Sequence, residues 1–336
     1  MKRVIMAGTV ALAGMVMARP PNYDEAKVAP YTLEDPLTFA DGRKLASAAE
    51  WPARRREILD IFAREMYGQP PPPPEVVKTE LIEEGETLAG LGIRRQYKMW
   101  FRDDKSGPVI DWIVFLPNHI QETKAKKDGN VPVCENTKKV PVVLFLNYRG
   151  NHELATDPQI VLAEGMWLRS GGADGHVWQK SELEKSRGRL RNTDETSQCP
   201  LETILARGYA VMSACYGQIS PDVEEHDVKR GTPRELAYTG VFTLWPPRDP
   251  AKDDNTTALG AWAWALSRGL DLAERIPEID AKKSVATGCS RLAKTALLAA
   301  VRDERFAVCV PNQTGGGGVP LAKRDFGENV STEMSM

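Results

Sequence analysis

The chain has 336 residues, of which 42% are hydrophobic and 27% are charged, a balance that predicts one large globular domain with a substantial core. Its 44 basic residues face 46 acidic ones, giving a net charge of -2. No excess of positive charge is present to hold a phosphate backbone or an anionic membrane surface, so we expect neither nucleic acid nor a membrane as partner.

The amino end predicts a secretory signal peptide. Residues 1–3 read Met-Lys-Arg and precede an apolar stretch over residues 4–18, with Val16 and Ala18 as small residues before a possible cleavage point. A membrane anchor would need about 20 apolar residues. We therefore expect a signal peptide over residues 1–18, a single domain over residues 19–336, and a periplasmic or secreted protein.

Export would place the cysteines in an oxidising compartment, where disulfides form. Their number is odd, so the pairing stays open. No Cys-x-x-Cys pair or Cys/His cluster has zinc spacing, and no metal site is predicted. The cysteines are Cys134, Cys199, Cys215, Cys289 and Cys309, and the histidines are His119, His152, His176 and His226.

The first half of the chain predicts one helix and two strands. Residues 51–66 carry apolar side chains at helical spacing, and the prolines of residues 70–74 end that helix. Residues 109–116 and 140–146 are apolar, β-branched runs of strand length. The polar stretch 122–139 between them predicts a solvated loop.

The second half alternates strands with helices, after a further polar region at residues 170–197 that predicts a loop. This order predicts an α/β fold with a mostly parallel sheet covered on both faces. The predicted strands are 209–215, 284–287 and 307–310, and the predicted helices are 259–275 and 292–301.

The segment around Ser290 has the form of a nucleophile elbow, in which a strand, a sharp turn and a helix expose a serine hydroxyl. Gly288 supplies the small residue that such a turn needs. The helix that follows directs its positive dipole end at an oxyanion beside Ser290. The usual second glycine of the pattern is replaced by Leu292, and a serine after a glycine is also a common helix cap.

The residues around this serine resemble the signature of glucuronoyl esterases, carbohydrate esterase family 15. The match reads Gly-Cys-Ser-Arg-Leu-Ala-Lys over residues 288–294, against Gly-Cys/His-Ser-Arg-x-Gly-Lys. Further stretches resemble bacterial members in the same order, so the likeness covers the chain from about residue 22 onward. These stretches are residues 22–25, 51–57, 66–68, 147–152, 208–211, 260–264, 303–306 and 326–328.

The resemblance implies an α/β-hydrolase three-layer sandwich and a serine triad that works without a cofactor. It implies hydrolysis of the ester between 4-O-methyl-glucuronic acid of xylan and lignin alcohols, by a monomer whose partner is glucuronoxylan or a lignin–carbohydrate ester. By position, Ser290 would attack the carbonyl, and the backbone N–H and guanidinium of Arg291 would stabilise the oxyanion. Lys294 resembles the lysine that binds the sugar hydroxyls. Two surface charges on a helix are the alternative interpretation of Arg291 and Lys294.

Three residues depart from the family pattern. Ala293 stands in place of a glycine and adds a methyl group in a crowded turn, which predicts modest strain. Gln313 stands where many members have the triad carboxylate, and an amide does not stabilise an imidazolium as a carboxylate does. Gln218 replaces an aspartate of a family motif.

No histidine follows Ser290 in these 336 residues, although α/β-hydrolases order their triad as Ser, acid, His. Without a base a serine hydroxyl is a poor nucleophile at neutral pH. The family's last strands would follow Glu328, leaving the strand near Val308 as an unpaired edge. The sequence therefore predicts that the chain as written is nearly inactive and poorly soluble. His152 is expected to line the pocket, and the other histidines to lie in solvated loops.

Two other functions remain open at this stage. One is a different carbohydrate esterase of the same fold, such as an acetylxylan esterase. A preference for acetyl esters over glucuronate esters would indicate this function. The other is a non-catalytic glycan-binding remnant, and binding of xylan without turnover would indicate it. In some relatives the cysteine beside the nucleophile pairs with one beside the histidine, and the resemblance implies that Cys289 would lack that partner.

Overall fold

A computed structural model describes residues 20–118, 139–169, 175–191 and 199–328. Within those ranges no helix is long and apolar enough to cross a membrane. The predicted signal peptide lies outside them. The strands are β1 (Lys78–Thr87), β2 (Gly92–Trp100), β3 (Val109–Pro117), β4 (Val140–Asn147), β5 (Trp167–Arg169), β6 (Gly175–Val177), β7 (Ala210–Cys215), β8 (Ile279–Cys289) and β9 (Val308–Asn312). The α-helices are α1 (Trp51–Phe62), α2 (Lys180–Lys185), α3 (Leu201–Ala206), α4 (Tyr216–Ile219), α5 (Glu225–Lys229), α6 (Ala258–Arg275) and α7 (Arg291–Arg302).

Seven strands form one twisted sheet in the order β1-β2-β3-β7-β4-β8-β9. Neighbours from β7 to β9 pair in parallel, and those from β1 to β7 pair antiparallel, so β2, β4, β7, β8 and β9 run the same way. The α/β fold with a mostly parallel sheet is confirmed. Because the carboxyl ends of β4, β7 and β8 share one edge of the sheet, the loops after them meet there.

Helices cover both faces of the sheet, as period-two alternation in β3 shows. Trp112, Val114 and Leu116 face a core shared with α6 and α7. Ile113 and Phe115 face a smaller core that α3 covers. The strong apolar stripe of α6 and the buried run of α7 therefore place these two helices side by side, directly behind β8.

The sequence missed two pairs of strands, β1–β2 and β5–β6, and misjudged one loop. The hairpin β1–β2 is rich in glutamate and arginine, which strands seldom favour, and its charges pair across the ladder. The loop predicted over residues 170–197 is partly wrong, since β6 and α2 lie within it. The loop predicted over residues 122–139 falls almost entirely outside the described residues.

β9 forms one edge of the sheet in the described part of the chain. It pairs with β8 along Val285–Cys289 and with no other described strand. Val308 and Val310 are 50% and 53% exposed on it. An edge of this kind presents unpaired backbone groups and apolar side chains to other chains.

The first described residues close against the last ones. Asn22 donates its side-chain amide to the carbonyl of Asp325 (2.7 Å), and the N–H of Gly327 donates to the carbonyl of Asn22 (2.6 Å). The rings of Tyr23 and Phe326 meet edge to face at 6.3 Å. This closure joins residues about 300 positions apart in sequence and fixes segment 324–328 against the body.

Candidate active site

Ser290 lies between the end of β8 and the start of α7, with φ 54° and ψ -130°. A non-glycine residue in that region is strained, and such strain is characteristic of a turn that presents a reactive group. Hydrogen bonds fix the turn: the N–H of Ser290 donates to Asn312 (3.1 Å), and its carbonyl accepts from Ala293 (2.9 Å) and Lys294 (3.1 Å). The side chain is exposed. This is the geometry of a nucleophile elbow.

Gly288 is the small residue on which this turn depends. A Cβ there would lie 2.3 Å from the carbonyl oxygen of Leu292 and 2.9 Å from the nitrogen of Ala293. The first turn of α7 therefore crosses directly over the end of β8. Ala293 is fully buried within the helix and is not among the residues with positive φ, so its methyl group is accommodated without backbone strain.

A tyrosine from the loop after β4 supports the turn from the other side. The hydroxyl of Tyr148 donates to the carbonyl of Cys289 (2.8 Å), and burial raises the pKa of that hydroxyl. Its ring meets Tyr216 edge to face at 5.3 Å, and Tyr216 meets Trp262 at 5.1 Å. A chain of three packed aromatic side chains, Tyr148, Tyr216 and Trp262, thus supports the backbone just before Ser290. The sequence offered no signal for Tyr148 beyond its position after a strand.

The thiol of Cys289 lies beside Ser290 and is half-buried. Burial raises the pKa of Cys289, which keeps the thiol protonated at neutral pH. Its Sγ lies 3.7 Å from Oε1 of Gln313. The four described cysteines, Cys199, Cys215, Cys289 and Cys309, are all free thiols.

Arg291, the first residue of α7, contacts two carboxylates. Its Nη1 donates to Oδ2 of Asp222 and, at 2.7 Å, to Oε1 of Glu224. Burial lowers the pKa of Arg291, but the two carboxylates outweigh this and hold it above its ordinary value. The side chain of Asp222 is 4% exposed and that of Glu224 is 24% exposed. These two carboxylates therefore fix the orientation of the Arg291 guanidinium beside Ser290.

Lys294 follows one helical turn later and is only 1% exposed. A buried ammonium is costly unless polar groups surround it. The alternative in which Arg291 and Lys294 are ordinary surface charges on a helix is therefore wrong. The roles of both residues with a substrate stay predictions.

No histidine of the described ranges hydrogen-bonds to Ser290. His152 is fully buried and contacts Oγ of Ser186 through Nε2 (3.0 Å), so the expectation that it lines an open pocket is wrong. His176 pairs with Glu182, and His226 lies in α5 between Glu224 and Asp227. His119 lies outside the described residues.

The two glutamines that depart from the family pattern take different positions. Gln313 follows β9 with φ 52° and an exposed side chain, next to the nucleophile turn as predicted. Gln218 accepts from the N–H of Asp111 (2.7 Å) and donates to its Oδ2 (2.8 Å). An amide makes both bonds at once. An aspartate at position 218 would instead set two carboxylates against each other.

Burial of His152 predicts a specific loss of stability in acid. Burial, aided by Arg187, lowers the pKa of His152 to about 4, against about 6.5 in an unfolded chain. As the pH falls below about 6.5, the unfolded chain binds a proton that the folded one does not, so stability falls by up to about 1.4 kcal/mol per unit. Urea unfolding of His152→Gln should lack this fall between pH 6.5 and 4.

The comparison cancels other groups, because Glu153 and the remaining carboxylates titrate in both proteins. His176→Gln is the matched control for the replacement of a histidine by glutamine, since His176 is half-exposed. Equal slopes for the wild-type protein and His152→Gln would contradict a neutral, buried His152.

Known proteins of similar sequence and structure identify the family of this chain. A family model described as glucuronyl esterase, fungi, matches residues 240–333, which include the nucleophile turn. A solved CE15 esterase from a marine bacterial metagenome, described as promiscuous, is 32% identical with a TM-score of 0.73. The match covers 94% of this chain and 72% of that one. The chain belongs to carbohydrate esterase family 15.

Other members agree with this assignment. The glucuronoyl esterase from Solibacter usitatus is 31% identical with a TM-score of 0.71, over 90% of this chain and 68% of that one. A carbohydrate esterase from an unknown prokaryotic organism is 36% identical over 317 residues, 92% of this chain. A 4-O-methyl-glucuronoyl methylesterase of Cerrena unicolor is 24% identical over 314 residues. The chain spans 64% and 46% of the length of these last two relatives.

Proposed function

We propose that this CE15 chain carries the nucleophile of a serine carboxylester hydrolase that cleaves esters of 4-O-methyl-glucuronic acid in glucuronoxylan or lignin–carbohydrate complexes. The observation that carries the proposal is the strained turn at Ser290, with a helix N-terminus beside an exposed hydroxyl. Relatives named as glucuronoyl esterases and as a 4-O-methyl-glucuronoyl methylesterase support the substrate class.

In the proposed reaction Oγ of Ser290 bonds to the ester carbonyl carbon while a base takes its proton. The oxyanion that forms is stabilised by the N-terminus of α7, including the backbone N–H of Arg291. The carbon–oxygen bond to the alcohol then breaks, and the alcohol takes the proton from the base. Water repeats the sequence on the acyl-enzyme and releases a uronate.

The donors beside Ser290 favour a glucuronoyl ester over an acetyl ester as substrate. Lys294 and Arg291 place cationic N–H donors at the start of α7, and the ring of a glucuronoyl ester carries hydroxyls that accept from such donors. An acetyl group carries no hydroxyls. Faster hydrolysis of acetylxylan than of benzyl glucuronate would favour the alternative esterase. We further propose that residues 1–18 direct export, so that the esterase acts in the periplasm or outside the cell.

Chemical rescue tests this proposal with the chain as it is. We expect little hydrolysis of benzyl glucuronate alone, because no described histidine bonds to Ser290. Added imidazole should supply the base and raise the rate at least about tenfold, less than the roughly 10²–10⁴-fold of a base that the protein holds in position. The release of benzyl alcohol, followed by chromatography, measures this.

Two variants make the result specific. Ser290→Ala should abolish the response to imidazole, whereas Ser47→Ala, an exposed serine before α1, should retain it. An equal response in Ser290→Ala would refute the role of Ser290. Rapid hydrolysis without imidazole that depends on Ser290 would support the function and overturn the expectation that the chain as written is inactive.

A further inference from the structure

A cavity of about 210 Å³ lies at the opposite end of α7 from Ser290. The proline loop after α1, the first half of α6 and the end of α7 line it, and it is open to solvent on one side. Since α7 has 12 residues, about 18 Å of helix separates its two ends, and the cavity is distinct from the nucleophile turn. An engineered cavity of about 150 Å³ holds benzene, so a ring-sized ligand fits.

The cavity is lined by an arginine that lacks a counter-charge in the described part of the chain. Arg302 ends α7, and its Nη2 donates to the carbonyl of Gly68 (2.7 Å). Its Nη1 is buried without a hydrogen-bond partner. Burial lowers the pKa of Arg302 to about 10, which leaves the guanidinium charged at neutral pH. A buried N–H group of a cation that has no hydrogen-bond acceptor raises the free energy of the folded state. A bound anion would lower it by supplying an acceptor.

The other charges on the cavity wall are already neutralised. Nε of Arg268 lies 2.7 Å from Asp271, and Asp303 lies 2.7 Å from Nη2 of Arg305. Arg302 therefore gives the cavity a net positive charge. An anionic ligand is attracted to it, and a cationic one is repelled.

The rest of the wall is apolar and held in place before any ligand arrives. Pro70, Pro71, Pro73 and Ala263 line it. Nε1 of Trp264 donates to the carbonyl of Pro72 (3.0 Å), which ties the proline loop to α6. A preformed wall lowers the entropy that binding must offset.

We propose that this cavity binds a small organic carboxylate with an apolar body, held by the guanidinium of Arg302. The guanidinium of Arg302 pairs with the carboxylate, and the proline rings and Ala263 cover the apolar body. Arg268 is paired with Asp271, and one arginine without a counter-charge suits a monocarboxylate rather than a phosphate or sulfate dianion.

Benzoate is the probe, and benzyl alcohol is its neutral control of similar size. Isothermal titration should show saturable benzoate binding at one site, and at least tenfold weaker binding of benzyl alcohol. Arg302→Met should weaken benzoate binding at least tenfold. Benzyl alcohol that binds as tightly as benzoate, or benzoate binding that survives Arg302→Met, would overturn the proposal.

Gly260→Ala provides a second test that leaves Arg302 in place. The new methyl group meets only ordinary contacts, 3.4 Å from Thr256 and 3.5 Å from Nη1 of Arg302, so the protein should fold. The methyl group would narrow the cavity beside Arg302, since Gly260 lines it, and should weaken benzoate binding at least fivefold. Unchanged affinity in this variant would also count against the site. Neither result depends on hydrolysis, so failure here is distinct from failure of the proposed esterase function.

Discussion

Replacing Gly288 with alanine should destabilise the protein by about 3 kcal/mol or more, the range of severe overpacking. The new Cβ would lie 2.3 Å from the carbonyl oxygen of Leu292, and a backbone atom in the first turn of a helix cannot rotate away. Relief requires α7 to move off the end of β8. Urea unfolding followed by tryptophan fluorescence measures the change in free energy of unfolding.

Gly260→Ala is the matched control for this substitution, because it also adds one methyl group to a glycine near α7. It meets contacts of 3.4 Å or longer and gains the helix propensity of alanine, so we expect no loss of stability. A loss below about 1 kcal/mol for Gly288→Ala would show that the elbow tolerates a side chain, which contradicts the crowded crossing described above.

Asp222→Asn should cost about 3 kcal/mol, because it removes a nearly buried carboxylate from the guanidinium of Arg291. The amide keeps the size of the side chain but carries no negative charge, so the partly buried guanidinium of Arg291 loses one of its two counter-charges. Equilibrium unfolding in urea again provides the measurement. The same variant should show a smaller response to imidazole in the hydrolysis of benzyl glucuronate, since Arg291 is then held less firmly beside Ser290.

Glu224→Gln removes the other carboxylate that pairs with Arg291, and it tests whether burial decides how much such a carboxylate contributes to stability. Glu224 contacts the same Nη1 at 2.7 Å, but its side chain is 24% exposed, so water replaces part of the lost interaction with the guanidinium. We expect a loss below about 1 kcal/mol, as for exposed ion pairs. Equal losses in the two variants would mean that burial of Asp222 does not decide its contribution.

The sequence predicted the part of the fold that is built from continuous apolar patterns. Helix α6 was expected over residues 259–275 and spans Ala258–Arg275, and α7 was expected over residues 292–301 and spans Arg291–Arg302. The turn at Ser290 was also predicted, because a strand, a glycine and a helix in succession permit few geometries. A local sequence pattern was sufficient to predict an element wherever the element's own apolar residues determine which of its faces is buried.

Contacts between distant segments could not be read from the sequence. Asp222 and Tyr148 reach the nucleophile turn from loops after β7 and β4, and neither residue has a local pattern that marks it. The strands β1 and β2 escaped notice because cross-strand ion pairs, rather than alternating apolar residues, hold their outer positions. His152 looked like a pocket residue because its burial depends on the fold of α2, within a region expected to be a loop.

The closure between Asn22 and segment 324–328 bears on the order in which the protein can fold during synthesis. The side chain of Asn22 bonds to a residue 303 positions later, so this contact forms only after nearly all of the described chain has been made. Contacts of such long range carry a high loop-closure entropy and form late. While the ribosome is still working, residues 20–27 remain without their partners. A nascent chain of this protein therefore offers its own amino-terminal segment to chaperones and proteases for longest, although that segment was synthesised before the rest of the domain.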